Sequence, residues 1–165
     1  MVLTKSELIQ SMQHEAHVLL HLAGKIDRAM LDYRPTPKQR STLELLRYLS
    51  FMGPVMIEAA MQGTFDRAAW KGEVDAANAR NFDETLAAIG AQRETYASRL
   101  GAWSDSDFRV DIEMFGRKTT RGAFLVNTVL CGYAAYRTQL FNYLKACGRE
   151  ELNTMNLWAG VDASM

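Results

Sequence analysis

The chain has 165 residues, and its 19 lysine and arginine residues balance its 19 aspartate and glutamate residues, so the formal net charge is zero. A nucleic-acid-binding protein draws much of its affinity from a cationic surface, so this balance argues against nucleic acid as a partner. The length favours one domain, and a hydrophobic fraction of 48% is enough for one sizeable core. The chain has only 3 prolines and 11 glycines, and these low counts favour helices over a β architecture with many turns.

The sequence predicts no membrane span and no signal peptide. No run approaches the roughly 18 consecutive apolar residues that a transmembrane helix needs, and the first residues lack an apolar signal core. We therefore expect a cytoplasmic protein without a membrane partner. Cys131 and Cys147 fall in one predicted helix, about 24 Å apart along its axis, which excludes a disulfide between them within that helix. With no cation identified beside either thiol, both are predicted to be small core or interface residues.

Helix 1 is predicted from about residue 5 to residue 30. Thr4 and Glu7 fit a capping box, in which a hydroxyl and a carboxylate satisfy free backbone N–H groups at the helix start. Its apolar residues form one stripe: Leu8, Ile9, Met12, Ala16, Leu19, Leu20, Ala23 and Ile26. The two prolines in residues 33–38 predict a loop after it.

Helix 2 is predicted from Thr42 to Gln62. Ser41 and Glu44 form a second capping box before it, and Gly63 is its predicted stop. The Gly53-Pro54 pair lacks one backbone donor and predicts a bend inside the helix.

The rest of the chain predicts five further segments. In chain order they are a long crossover (64–80, with a short helical piece at 65–70), helix 3 (82–100), a short β-like hairpin (110–119), helix 4 (121–147) and a tail (149–165). The sequence therefore predicts an all-α four-helix bundle over residues 1–148 with one long crossover, followed by a tail that docks on the bundle or on a partner subunit.

Three blocks of sequence share features with a known superfamily. Residues 33–49 place a tyrosine, an Arg-Pro pair and a capping serine before an amphipathic helix. Residues 132–140 read Gly-Tyr-Ala-Ala-Tyr-Arg-Thr-Gln-Leu, and residues 114–119, Met-Phe-Gly-Arg-Lys-Thr, form the hairpin before that helix. In this order the blocks resemble the DinB/YfiT-like superfamily, whose helix 4 motif is His-x-x-x-His-Arg-x-Gln-Leu.

The resemblance implies a four-helix bundle, commonly dimeric, in which one histidine of helix 2 and two of helix 4 hold a divalent metal. Characterised relatives include thiol-dependent transferases and isomerases. This sequence departs from the family at every ligand, with Tyr48 in helix 2 and Gly132 and Tyr136 in helix 4. Glycine has no side chain to donate, and a neutral phenol is a poor ligand for zinc. We therefore expect that the family metal site is lost, and with it the metal-activated thiolate.

Tyr48, Gly132 and Tyr136 are the candidate ligand-binding residues. In one interpretation the two hydroxyls close off the old cavity by bonding to each other or to water. In the other, Gly132 keeps a pocket open while the tyrosines orient a small molecule. Neither tyrosine is predicted to act as a nucleophile or base, because no histidine lies near enough in the family alignment to assist.

All three histidines, His14, His17 and His21, lie on helix 1 within an arc of roughly 60°. Their arc lies roughly opposite the apolar stripe, so they are predicted to form a polar face toward solvent or a partner chain. Surface metal binding and a functional site are the alternatives.

Two residues of the helix 4 motif are retained, Arg137 and Gln139. Arg137 points away from the ligand axis and predicts a structural ion pair or cap, with Glu44 and Glu58 as open choices of partner. In the tail, Trp158 is the best candidate for a subunit interface, and docking on its own chain is the alternative.

These observations favour a dimeric bundle without catalytic residues, cofactor or metal that binds an unknown small molecule. A thiol-dependent transferase or detoxification enzyme with a relocated metal or none is an alternative. A purely structural dimerisation module is another.

Overall fold

A computed structural model describes residues 3–163, so residues 164 and 165 of the predicted tail lie outside the described part. Its longer elements are α1 (Lys5–Ala23), α2 (Thr42–Gln62), α3 (Arg67–Ala79), α4 (Phe82–Gly101), β1 (Asp111–Met114), β2 (Arg117–Thr120) and α5. Helix α5 is continuous over three segments: an α-helical turn (Arg121–Phe124), a π-helical stretch (Leu125–Leu130) and a longer α-helix (Cys131–Ala146). The predicted all-α class with a short hairpin before the last helix is confirmed.

The helix starts follow the capping chemistry of the sequence. Both halves of the capping box are formed at Thr4, at Ser41 and at Asn81, the residues that precede α1, α2 and α4. Helix α2 ends at Gly63 in the left-handed conformation, with φ 72°, which an L side chain adopts only with strain. The predicted limits of α2 are therefore confirmed.

Helix 1 is shorter than predicted. It ends at Ala23 instead of continuing to Met30, and a separate 3-10 turn covers Arg28–Met30. The N–H groups of Lys25 and Ile26 bond three residues back, to the carbonyls of Leu22 and Ala23, so the last turn tightens and the helix closes. Ile26 lies beyond the helix end but still packs on the core. The apolar pattern of the sequence therefore continues past the end of the helix.

The crossover contains a longer helix than predicted. Helix α3 has 13 residues, whereas only a short piece at 65–70 was expected. Asp66 starts it by accepting the N–H groups of Ala68 and Ala69. Only Ala77 of α3 is fully buried, so the helix has no continuous apolar stripe for sequence patterning to detect.

Helices α1, α2, α4 and α5 surround the core in an up-down-down-up arrangement. Hydrogen bonds between Gln13 and the Arg93 carbonyl fix α1 beside α4, and Gln92 bonds across to α2. Helices α2 and α4 run parallel, and the crossover with α3 joins them. Helix α5 packs antiparallel to α2 and parallel to α1. No helix within residues 3–163 has the length and apolar character required to cross a bilayer.

Candidate functional site

The structure brings the three predicted pocket residues together where α2 faces α5. The rings of Tyr48 and Tyr136 meet edge to face, with centroids 5.2 Å apart and an interplanar angle of 68°. Gly132 lies one helical turn before Tyr136, and a Cβ placed on it would lie 3.3 Å from the methyl group of Met52. The absent side chain of Gly132 therefore leaves room for Met52 of α2.

The electrostatics at this point keep the phenol of Tyr48 neutral. Burial, and then the neighbouring Tyr136, raise the pKa of Tyr48 to about 12, while the cation of Arg40 acts in the opposite direction. The guanidinium carbon of Arg40 lies 4.0 Å from the centroid of the Tyr48 ring, a cation–π contact. Arg40 lies within the block of residues 33–49, but the features that carry the resemblance there do not include it, so the sequence did not single it out.

Tyr48 and Tyr136 belong to a longer chain of ring contacts, which we call the aromatic arc. Neighbouring centroids along it are 4.9 to 6.3 Å apart, within the range of favourable aromatic pairs. In order, its members are Tyr136, Tyr48, Phe51, Trp70, Phe65, Phe115 and Phe124. Both ends of the arc, Tyr136 and Phe124, therefore lie on α5.

These residues do not fit the divalent metal that the family resemblance implies. Zinc prefers thiolate, imidazole and carboxylate ligands, whereas the three positions hold two phenols and a glycine: Tyr48, Tyr136 and Gly132. Within residues 3–163, no three or more His, Cys, Asp or Glu side chains cluster closely enough to hold a metal ion.

A buried polar cluster next to the arc was missed by sequence reasoning. The Leu49 carbonyl accepts hydrogen bonds from Gln92 Nε2 at 2.7 Å and from the Tyr133 hydroxyl at 2.6 Å. The Tyr96 hydroxyl donates to Gln92 Oε1 at 2.7 Å. Burial raises the pKa of Tyr133 to about 12. The members of this cluster come from α2, α4 and α5, far apart in the chain, so no local motif indicated it.

The histidine face of α1 is partly covered by the chain's own tail, a neighbour that the sequence left open. His14 Nε2 lies 2.7 Å from the Trp158 carbonyl, and His21 Nε2 lies 3.0 Å from Asn156 Nδ2. Gly160 fits against the ring of His17, where an added Cβ would approach to 2.9 Å. The three histidines therefore border the docked tail, with His14 and His17 still exposed.

The partner of Arg137 is Glu15 of α1, and both open choices, Glu44 and Glu58, were wrong. Arg137 Nε lies 3.1 Å from Glu15 Oε2, and both side chains are buried. Glu44 completes the cap of α2, and Glu58 pairs with Arg99. The other motif residue, Gln139, donates to the Tyr143 hydroxyl.

The remaining predicted residues lie apart from the arc. Cys131 is exposed, so it is no core residue, and Cys147 is half-buried; both thiols are free. Burial raises the pKa of Cys147, which disfavours its thiolate. The Trp158 indole is 63% exposed, with the Arg137 guanidinium 5.0 Å from its ring centroid.

No protein-family model and no curated protein matches the sequence. Among solved structures, the chain is similar to the crystal structure of YjoA, a DinB-like protein from Bacillus subtilis, with a TM-score of 0.68. The fold of this chain is DinB-like. The alignment covers 88% of this chain and 94% of YjoA at 18% identity. At that identity the likeness shows a DinB-like fold and nothing further.

Proposed function

We propose that this DinB-like protein binds a small aromatic anion at the aromatic arc, without a metal and without catalysing a reaction there. One observation carries the proposal: the Arg40 guanidinium stacks on Tyr48 beside Tyr136, with no acidic side chain paired to it among residues 3–163. A cation held over half-buried rings complements a carboxylate attached to a flat apolar body. The protonated phenol of Tyr48 supplies a hydrogen bond and no base.

Binding is tested with benzoate and 4-hydroxybenzoate as probes, by saturation-transfer NMR and titration. We expect both probes to bind. Tyr136→Ala and Arg40→Gln should each weaken binding about tenfold, because they remove a ring contact and the charge partner. Arg34→Gln is the matched control, since Arg34 is on the same loop but pairs with Glu44, and it should leave the affinity unchanged. Unchanged affinity in Tyr136→Ala would overturn the proposal.

The absence of metal chemistry is tested separately. The protein is purified without a nickel column, its metal content is measured, and thiol conjugation is assayed with and without added zinc. We expect substoichiometric metal and no zinc-dependent conjugation. Tight zinc binding together with conjugating activity would favour the thiol-dependent transferase instead.

We further infer that two copies associate through the tail. The Trp158 indole, Met155 and Val161 are 63%, 45% and 42% exposed within one short segment, which is unusual for large apolar side chains. Light scattering after size exclusion should give a dimer for the wild type and a monomer for Trp158→Ser. Phe115→Ser is the matched control, because Phe115 is 62% exposed on the distant hairpin, and it should remain dimeric. A monomeric wild type rejects this inference.

A further inference from the structure

A cleft of about 440 Å³ lies between α2, the crossover helix α3 and α4. This volume falls within the range of small-molecule sites. Much of its wall is apolar and comes from all three helices: Phe51, Pro54, Val55, Ala69, Ala88 and Ala91. The alanines of α3 and α4 keep the cleft open, since longer side chains at these positions would fill it.

One arginine at this cleft is held in place without a carboxylate partner. Arg80 follows α3, and its Nη1 donates to Ser50 Oγ at 2.7 Å, where Ser50 is buried. Its backbone carbonyl accepts from Arg47 Nε at 2.9 Å, which fixes the main chain as well. Among residues 3–163, no acidic side chain forms an ion pair with Arg80, so its remaining N–H donors are available to a ligand.

The other charged residues of the cleft are already engaged or face water. Arg99 pairs with Glu58, and Asp66 caps α3. Glu73 is exposed. The charged side chains that line the cleft sum to one net negative charge, since Glu58, Asp66 and Glu73 outnumber Arg80 and Arg99. Within the described chain, Arg80 is the one cation of this lining without a carboxylate partner, so it is the local point that accepts an anion, and a monoanion suits it better than a phosphate dianion.

We propose that this cleft binds a carboxylate carried on a hydrocarbon chain, a medium-chain fatty acid in chemical class. The carboxylate accepts hydrogen bonds from Arg80, and the chain lies along Pro54, Val55 and the alanines of α4. The site is distinct from the one proposed around Arg40, although Phe51 and Phe65 contribute to both, and it does not depend on that proposal.

The test is calorimetric titration of the full chain with octanoate, and with 1-octanol as a neutral chain of equal length. We expect octanoate to bind and octanol to bind at least about tenfold more weakly, since it lacks the charge. Arg80→Gln should abolish this preference for the carboxylate. Ala88→Leu should weaken both probes by filling the cleft while leaving Arg80 in place.

Two matched controls locate the site. Arg109 lines a separate apolar cavity of about 330 Å³ near the start of α1, and Arg40 belongs to the aromatic arc. Arg109→Gln and Arg40→Gln should leave octanoate binding unchanged. Thermal unfolding of each variant confirms that it is folded. The proposal is overturned by absent octanoate binding, by binding that survives both Arg80→Gln and Ala88→Leu, or by binding lost in either control variant.

Discussion

Glu15 and Arg137 are the only charged side chains among the buried residues of the described chain, at 7% and 3% exposure. Burial raises the pKa of Glu15, and the Arg137 cation acts against that shift. Two charges removed from water lose hydration, and their attraction compensates only while both are present. We therefore expect the loss of one partner to lower the stability of the protein far more than the replacement of both partners by apolar residues.

Glu15→Ala should lower the free energy of unfolding by about 3 to 5 kcal/mol, because it leaves Arg137 buried without a counter-charge. The double variant Glu15→Leu with Arg137→Met should lose much less. Urea unfolding measures both. Asp83→Ala is the matched control, since its pair with Arg28 is exposed, and it should change stability by at most about 1 kcal/mol. A Glu15→Ala variant as stable as this control would contradict the argument.

The sequence identified Arg137 as structural but not its partner. A helical pattern gives the angle at which a side chain leaves its own helix, and carries no information on which helix packs beside it. Glu44 and Glu58 were plausible as acidic residues of the neighbouring α2, but local capping and Arg99 had already engaged them. Tyr48 and Tyr136 were brought together correctly because the family resemblance supplied the helix pairing.

At the scale of the secondary-structure elements, the packing of α2 against α4 and α5 depends on Gly53. A Cβ on Gly53 would lie 2.2 Å from the Tyr96 hydroxyl oxygen, closer than real contacts allow, and 3.0 Å from the Tyr133 hydroxyl oxygen, a tight contact. These hydroxyls bond to Gln92 and to the Leu49 carbonyl, one turn before Gly53. The glycine is therefore required by the buried polar cluster of α4 and α5 and not by the conformation of α2 itself.

Gly53→Ala should lower the free energy of unfolding by about 2 kcal/mol or more, because overpacking outweighs the gain in helix propensity of about 1 kcal/mol. Gly90→Ala is the matched control in α4, where the nearest atom, Leu20 Cδ1, lies 3.8 Å away. Gly90→Ala should be neutral or stabilising by up to about 1 kcal/mol. Chemical denaturation measures the free energy of unfolding of both variants. Equal changes in Gly53→Ala and Gly90→Ala would exclude the steric explanation.

The limits of a helix were predicted correctly where capping residues mark its ends. They were predicted wrongly where tertiary packing determines its length. Helix α2 has a capping box at its start and a left-handed glycine at its end, so its limits followed from sequence. Helix α3 was underestimated because it packs mainly through Trp70 and buries only Ala77. The end of α1 was misplaced because Ile26 is apolar for packing reasons that persist beyond the helix.

Across the whole molecule, the tail connects the two parallel helices α1 and α5. Its π-helical turn, Met155–Ala159, places the Leu157 carbonyl 2.9 Å from Arg137 Nη1. Asn156 bridges to His21 and, at 2.9 Å, to Asp162, which also bonds Lys25 at 2.7 Å. The sequence placed Trp158 in a docking segment but could not show that α1 receives it, since the contacts are polar and far apart in the chain.

Docking of the tail depends on a neutral His21. The Asn156 Oδ1 accepts the Asn153 N–H, so its amide nitrogen faces His21 as a donor and the ring must accept. Burial, then Lys25, lower the pKa of His21 from 6.5, with Asp162 opposing and His17 adding to the shift. A lowered histidine pKa means that the docked state binds fewer protons. The docked tail is therefore stable above pH 6.5 and weakens as the pH falls below that value.

Hydrogen exchange of the tail amides, corrected for intrinsic rates, should show less protection at about pH 5.5 than at about pH 7.5. His21→Gln should remove most of this difference, because the substituted side chain does not titrate. His17→Gln is the matched control, since His17 forms no hydrogen bond with residues 149–163, and it should keep most of the difference. The raised pKa of Glu15 acts in the opposite sense, because its protonation at low pH relieves a buried charge. If tail protection in the His21→Gln variant still fell at low pH, a group other than His21 would be responsible for the acid sensitivity of the tail.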